Sequence, residues 1–357
     1  MRFSRRVLLI ALLAQCASIS AAPQMQAYLH AESFSYSEPV PIRGFFNDWN
    51  TPFSGGELAL THNTVESGIS QGPWELGLVA RYDYEMRFAS DTADFYFHSK
   101  NHLPLDPGRR YTIDLEAEHF SATGVRLGYQ LTAHPDLTVG LGLTYLNGQQ
   151  LIDGTLRGTA TALSTNDYDF NLGVDYRYSE DRLFKRSVSA PNGQGYSVDL
   201  RMDWHTGDLQ THLRITDLLA RLYWNNAPYT LATATSATKS YDSNGYVVIQ
   251  PTLSGVESNR RFIQKLPLRA SFDAQYPLTA DVSAVGNIYY TRLKTFVQAG
   301  MGYRLMSGQL QALFNPDTHA ATLRYEQTAW HIGITSDRLQ PHAAHTLGLD
   351  LALRIPF

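Results

Sequence analysis

The sequence predicts an all-β fold, a transmembrane antiparallel β-barrel of about 16 strands, with roughly 12 to 16 allowed. Three observations predict it: long segments in which apolar and polar residues alternate, a start with the pattern of an export signal, and an alternating apolar strand at the carboxyl end. The 357 residues are 43% hydrophobic and 17% charged, which is typical of a folded chain. Apolar runs stay well short of the about 18 residues of a membrane-spanning helix.

Charge excludes nucleic acid as a partner. The chain has 29 Lys and Arg against 33 Asp and Glu, and its basic residues form no strong cluster. The 21 tyrosines and 26 glycines are typical of a β-rich surface protein.

Residues 1–21 are predicted to be a signal peptide. Three arginines near the start precede an apolar run over 7–14, and small residues over 20–22 give a cleavage site. The only cysteine, Cys16, lies in this segment, so the exported chain has no disulfide. A closed sheet, which leaves no free edges, is one device that replaces disulfides in such a protein.

The alternation is clearest over 74–88. Eight apolar side chains, from Trp74 to Phe88, fall on one face of this strand, and five charged side chains fall on the other. Strands of soluble sheets usually have about five or six residues. A soluble barrel with its charges outside is the alternative, but the export signal, the strand length and the chain end favour charges inside and lipid outside.

About sixteen segments carry the pattern, and together they predict a barrel over 74–357. These segments are 74–88, 110–119, 124–132, 137–146, 151–162, 168–178, 195–205, 208–216, 245–254, 266–276, 280–290, 294–305, 309–314, 320–326, 329–335 and 346–357.

Two blocks lack the pattern. Prolines and glycines interrupt 22–73, and we expect a plug inside the barrel or a periplasmic arm there, with one or two early strands as the alternative. In 217–243, Asp217 is a helix-cap residue before a short helical spacing. We expect a surface loop with one helical turn, and the alternative is a loop that folds inward and narrows a pore.

The chain end carries the most specific signal. Counting back from Phe357, every second residue is apolar, and this strand closely resembles the last strand of Gram-negative outer-membrane β-barrel proteins, which usually ends in Phe. Pro356 departs from that pattern, although a strand edge tolerates it. The resemblance implies a place in the bacterial outer membrane, contact with its lipid, and the barrel-assembly machinery as a partner. The residues expected to form the assembly signal are Leu349, Leu351, Leu353, Ile355 and Phe357.

The charged face predicts a polar lumen. Mixed charge around a water-filled lumen favours polar solutes; the alternative is that these groups pair with each other and fill a narrow barrel. The lumen candidates are Glu75, Arg81, Asp83, Glu85, Arg87, Asp114, Glu116, Glu118, Asp175, Arg177, Asp199, Arg201, Asp203, Arg269, Asp273, Arg324 and Arg354.

The residues predict no catalytic, metal or cofactor site. His98 and Ser99 are adjacent, so on a strand they point to opposite sides and do not form a catalytic pair. His205 and His212 are expected to be hydrogen-bonded lumen residues. Three other histidines lack the spacing of a helical metal site: His331, His342 and His345.

These observations favour a channel or transporter for small polar or amphipathic solutes, and not an enzyme. The alternative is a barrel component of a surface polymer, pilus or secretion assembly, with periplasmic partners. A barrel hydrolase that acts on lipid ranks third.

Overall fold

The structure is a computed structural model that describes residues 24–183, 185–236, 238–241, 247–249 and 252–357, with the side chains of 239–249 outside the description. The expected signal peptide and its cleavage site lie outside the described residues. The described strands, in chain order, are β1 (Gln26–Ser37), β2 (Leu58–Gln71), β3 (Trp74–Phe88), β4 (Arg110–His134), β5 (Leu137–Ser164), β6 (Asp167–Tyr178), β7 (Asn192–Thr206), β8 (Leu209–Thr235), β9 (Lys239–Tyr241), β10 (Val247–Ile249), β11 (Leu253–Lys265), β12 (Arg269–Pro277), β13 (Val282–Tyr290), β14 (Thr295–Leu305), β15 (Gly308–Asn315), β16 (Ala320–Glu326), β17 (Trp330–Ser336) and β18 (Thr346–Pro356).

Fourteen of these strands form a closed antiparallel barrel. The barrel closes because β1 pairs with β2 on one edge and with β18 on the other, in a register that runs from Gln26 opposite Pro356 to Tyr36 opposite Thr346. The remaining neighbours follow chain order, except that β5 pairs with β7 and β8 pairs with β12. The predicted transmembrane barrel is therefore confirmed.

The expected plug or arm over 22–73 is wrong for the greater part of that segment. Residues 26–37 and 58–71 are barrel strands, as the alternative allowed. Only the proline-rich connection between them is a loop, and it holds the short helix α1 (Ile42–Phe46). The barrel thus begins at β1, and 74–357 is only part of it.

The two ends of the barrel differ in the length of their connections. At the end where β1 starts and β18 finishes, neighbouring strands are joined by short turns, for example at 72–73, 135–136 and 207–208. Longer connections, such as 38–57 and 89–109, lie at the opposite end. In outer-membrane barrels the short turns face the periplasm and the long loops face the outside.

The outward face is apolar and carries two bands of exposed aromatic residues. Between them lie exposed leucines such as Leu78, which is 64% exposed. Aromatic bands at both interfaces flank the apolar belt of a transmembrane barrel. The band near the periplasmic end includes Trp74, Trp204, Tyr276 and Tyr303. The upper band includes Tyr82, Tyr145, Tyr196 and Tyr290.

On one side of the barrel the sheet continues beyond the upper aromatic band. There β6 pairs with β5 and β8, and β11 pairs with β8, so both strands lie outside the fourteen-stranded ring. We call the parts of β4, β5, β6, β8 and β11 above the upper band the raised wall. The helix α2 (Ser90–Lys100) packs on its outer surface, where Phe95 contacts Tyr111 and Tyr168.

The observed strands differ from the predicted ones chiefly because several strands continue into the raised wall. The candidates 110–119 and 124–132 are one strand, β4, and 137–146 and 151–162 are one strand, β5. The loop with a helical turn expected over 217–243 is wrong, because β8 continues to Thr235.

No helix among the described residues is long and apolar enough to cross a membrane.

Leu78→Arg tests which face of the sheet meets lipid. Leu78 lies midway between Trp74 and Tyr82 on the outward face of β3. An arginine there is expected to lower the free energy of unfolding by about 2–4 kcal/mol, because its charge must enter the middle of the bilayer. Urea unfolding in lipid vesicles measures this.

The matched control is Leu103→Arg, in a loop at the outer end, where a change within about 0.5 kcal/mol is expected. Equal losses at the two positions would contradict the assignment of the outer face.

Candidate functional site

The predicted lumen residues occupy several levels of the barrel. Those nearest the periplasm line a cavity of about 650 Å³: Glu75, Arg201, Asp203, Asp273, Arg324 and Arg354. Above it, a smaller cavity of about 80 Å³ is lined by Arg81, Asp199, Arg201 and Arg269 among others. Asp83 and Glu85 are buried at the next level.

The larger cavity reaches the periplasmic end, where the β16–β17 turn over 327–329 lines it. Ion pairs line this cavity, some between neighbouring strands and some between strands further apart in the ring. Arg324 Nη1 lies 3.1 Å from Asp273 Oδ1, and His331 Nε2 lies 3.0 Å from Asp350 Oδ2. His30 contacts the other oxygen of Asp350 at 3.4 Å. The cavity is therefore polar and carries both signs of charge.

A second group of polar residues lies where the two cavities meet. Tyr28 donates to Glu66 at 2.7 Å, and Arg126 Nη1 lies 3.3 Å from Glu66 and 3.1 Å from Glu75. The guanidinium of Arg126 lies flat against β5 at Gly142, where a Cβ atom would be 2.6 Å from it. Pairing of this kind is required because burying an unpaired charge is costly.

Four buried residues close the lumen above the smaller cavity, and we call them the charge cluster: Arg81, Asp83, Asp217 and Arg269. Arg81 binds Asp217 through two hydrogen bonds of 2.8 and 2.7 Å, and its Nη2 also donates to Asp83 at 2.6 Å. Arg269 lies 3.5 Å from Asp83. The Arg81 and Asp217 side chains are only 4% and 1% exposed, so this crossing of the lumen excludes water from the pair.

A strand irregularity places Asp217 in the charge cluster. Asp217 has a φ of 61°, and the register of β7 on β8 shifts between Val198 and Leu200. A bulge of this kind turns a side chain that regular alternation would point elsewhere. Ser197 donates to Asp217 at 2.7 Å, and Asp199 accepts from its backbone N–H at 3.1 Å. The sequence signal of this bulge is the break in alternation that we interpreted as a loop.

Apolar side chains fill the barrel above the charge cluster. Arg81 lies over the ring of Phe120 at 4.9 Å, and Trp224 is 1% exposed. The indole of Trp224 lies against Gly148 and Gly193, where a Cβ atom would come within 2.6 Å of it. We call this group the apolar layer: Phe120, Leu146, Leu151, Leu222 and Trp224. Above the charge cluster, the side of the interior formed by β4, β5 and β8 is therefore filled by apolar packing.

Arg292, in the β13–β14 turn, reaches the carboxylates of β3 and β4 at the outer mouth. It lies 3.2 Å from Glu85, 3.6 Å from Glu116 and 2.7 Å from Glu118. Glu85 also bonds to His62 at 2.9 Å. Three carboxylates thus surround the single guanidinium of Arg292.

Asp153 lies beside this acidic group, on β5, eight residues beyond Tyr145 and outside the membrane band. Burial and the nearby charge of Glu118 raise the pKa of Asp153 from 3.8 to about 7, although Arg177 opposes the shift. Burial also raises the pKa of Glu118. Asp153 therefore holds its proton to near neutral pH.

Five predicted lumen residues lie on or beside the raised wall and not in the membrane band. Arg87 pairs with Glu116 at 3.1 Å, and Asp175 pairs with Arg177 at 3.1 Å. Asp114 pairs with Arg157 at 3.1 Å, with half of its side chain exposed. These residues lie on the inward-facing side of their strands, as predicted, but at a level of the strands that is outside the membrane.

Several inward residues were not among the sequence candidates. Glu32 on β1 and Glu66 on β2 belong to the segment that we expected to be a plug. Serines on the outward face of β1 interrupt the apolar alternation that would have identified it as a strand. The group includes His30, Glu32, Glu66, Arg126, Arg214, Asp217 and Asp350.

The candidate catalytic histidines have ordinary partners. His98 and Ser99 lie on α2 and not on a strand, and His98 Nδ1 lies 3.1 Å from Asp94. His212 bonds to Asp203, which faces it across the β7–β8 hairpin. Within the described ranges, no group of three or more His, Cys, Asp or Glu side chains is placed to hold a metal ion.

The closed ring, the apolar belt with two aromatic bands and the polar interior decide the class of protein. The chain is an outer-membrane β-barrel protein. On β18, Leu349 and Ile355 are exposed, as is Phe357 beyond its end, while Asp350 faces the lumen. Their role as an assembly signal stays a prediction, as do the assembly machinery and lipid as partners.

No family model matches this chain, and no curated protein matches it. Among solved structures it is similar to a deltaS2S3 mutant of the monoaromatic hydrocarbon channel TodX of Pseudomonas putida (TM-score 0.43, 10% identity, 94% of this chain and 91% of that one). It is also similar to a FadL homologue of Pseudomonas aeruginosa (0.36, 9%, 93% and 88%). A third is the toluene transporter TbuX of Ralstonia pickettii (0.31, 9%, 94% and 90%). These similarities are too distant to indicate a solute.

Asp153→Asn tests the acidic group at the mouth. Between about pH 4 and pH 7 the folded protein keeps a proton that the unfolded chain has released, so the free energy of unfolding falls as pH rises. Asparagine removes that loss, and the variant is expected to be more stable than the wild type by about 1–2 kcal/mol at pH 8.

Urea unfolding at pH 4 and pH 8 measures the difference, which is expected to vanish at pH 4. A stability difference that is the same at both pH values would contradict the raised pKa.

Proposed function

We propose that this protein is a gated outer-membrane channel or transporter for small polar solutes. The observation that carries the proposal is the polar cavity of about 650 Å³, which reaches the periplasmic end and stops beneath the charge cluster. A solute site needs a concave space with a few converging polar groups. A barrel that served only as a membrane anchor would have no need of such a space.

The closure has a form that suits a gate. Arg81 lies on β3 and Asp217 on β8, four strands further round the ring and 136 residues away in the chain, and their contact is made of side chains alone. Breaking it requires no change in the backbone pairing of the barrel. The attraction within a buried ion pair is largely offset by the cost of removing both charges from water, so separating the two side chains into a hydrated lumen would cost little free energy.

The periplasmic surface gives no support to a role in a surface polymer, pilus or secretion assembly. The described strands are joined there by turns of two to four residues, from 72–73 to 278–281. Such turns offer little surface to a periplasmic partner. The larger surface lies at the outer end, on the raised wall.

Asp217→Asn tests the gate. The substitution keeps the shape of the side chain but removes the charge that holds Arg81 across the lumen. We expect the open probability of single channels in a planar bilayer to rise at least about tenfold over the wild type, because a loss of 1.4 kcal/mol of closure free energy is enough for that change.

Asp273→Asn is the matched control, since this carboxylate lines the larger cavity and pairs with Arg324 there, outside the charge cluster. It should leave the open probability near the wild-type value. A folded Asp217→Asn barrel that conducts no ions would contradict the proposal.

A further inference from the structure

We propose that the larger cavity holds a binding site for a small carboxylate or phosphate anion, formed by Arg201 with Arg214 and Arg354. The inference deepens the proposed function, on which it rests, by giving a chemical class to the solute. All three arginines line the same cavity.

Arg201 is the centre of the site because the protein leaves its guanidinium without a close partner. Its nearest carboxylate is Glu75, at 4.0 Å, and its Nε is buried without a hydrogen-bond partner. Only 26% of the side chain is exposed. Burying an unpaired cation costs free energy, and a bound anion would remove that cost.

The other two arginines of the site are also incompletely paired. Arg214 Nη1 lies 3.4 Å from both Glu32 and His30, and its Nε is buried without a partner. Arg354 forms no ion pair with any residue that the structure describes. Arg214 lies directly opposite Arg201 on the neighbouring strand β8, and the charge of Arg354 acts on Arg201 from β18, on the other side of the ring, while Glu75 partly offsets these charges.

The nearby carboxylates are already occupied by other donors. Glu75 pairs with Arg126 at 3.1 Å and accepts from Gln130 at 3.0 Å. Glu66 accepts from Tyr28 at 2.7 Å and pairs with Arg126 at 3.3 Å. Neither carboxylate is free to neutralise Arg201 fully.

Carboxylate and phosphate match this arrangement. A guanidinium presents a planar fork of donors that binds two oxygens of one anion at once. A cavity of about 650 Å³ has room for a small organic acid or a phosphate together with water. The surrounding glutamates would disfavour large polyanions, since like charges repel at close range.

The test is isothermal titration calorimetry of the full-length processed barrel in detergent, with succinate and inorganic phosphate as separate probes. Arg201→Gln is expected to weaken binding of the probe that binds by at least about tenfold, which corresponds to 1.4 kcal/mol. Arg354→Gln, at the exposed mouth, is expected to weaken binding of the same probe by a smaller factor. This second variant keeps the test valid if Arg201→Gln does not fold.

Arg324→Gln is the matched control, because that guanidinium lines the same cavity and its Nε is likewise buried without a partner, but its Nη1 lies 3.1 Å from Asp273, whereas Arg201 has only Glu75 at 4.0 Å. It should change affinity less than about threefold, or 0.7 kcal/mol. Absence of binding heat with both probes, or an equal loss in Arg201→Gln and Arg324→Gln, would overturn the inference. If either occurred while Asp217→Asn still opened the channel, the site would be wrong and the proposed gate would stand.

Discussion

The pairing of β1 with β18 is the constraint on which the rest of the structure depends. Inside a bilayer no water is present to satisfy backbone N–H and C=O groups, so a spanning sheet must close on itself. Eleven consecutive residue pairs, from Gln26 opposite Pro356 to Tyr36 opposite Thr346, complete that ring. Once the ring is closed, every strand has one face toward lipid and one toward an enclosed interior, and the period of two assigns each side chain to one of them.

The enclosed face explains the internal layers. Charges that cannot reach bulk water need partners, and the barrel provides them between neighbouring strands, as in His331–Asp350, and between strands further apart, as in Arg324–Asp273 and Arg81–Asp217. Of the two expectations, an open polar lumen and a filled barrel, each fits one half of the interior. The Arg81–Asp217 contact marks the boundary between these halves, and the apolar layer around Trp224 reinforces it.

The alternation of apolar and polar residues correctly predicted which face of a regular strand each side chain lies on. β3 begins and ends where the pattern over 74–88 does, and Glu75 and Arg81 face inward as expected. The pattern failed where parity changes or where contacts span the lumen. Asp217 lies at a bulge with a positive φ, so the strand there looks irregular. β1 is rich in serine and glutamate and is separated from β2 by a proline-rich loop, so a closing strand looked like a plug. Which charged residues meet across the lumen depends on how the strands pair around the ring, and the sequence of a single chain does not specify that pairing.

The most direct test of this account is a spin-label scan of β3 in lipid vesicles. Residues 22–357 contain no cysteine, so in a chain that starts at residue 22 single cysteines at positions from 74 to 82 can be labelled without background. The account predicts a period of two: labels at Leu76, Leu78 and Ala80 contact lipid-soluble oxygen, while a label at Glu75, which lines the larger cavity, contacts a water-soluble relaxation agent instead. Accessibility that changes smoothly along the strand, or water contact at Leu78, would contradict the lipid-facing orientation.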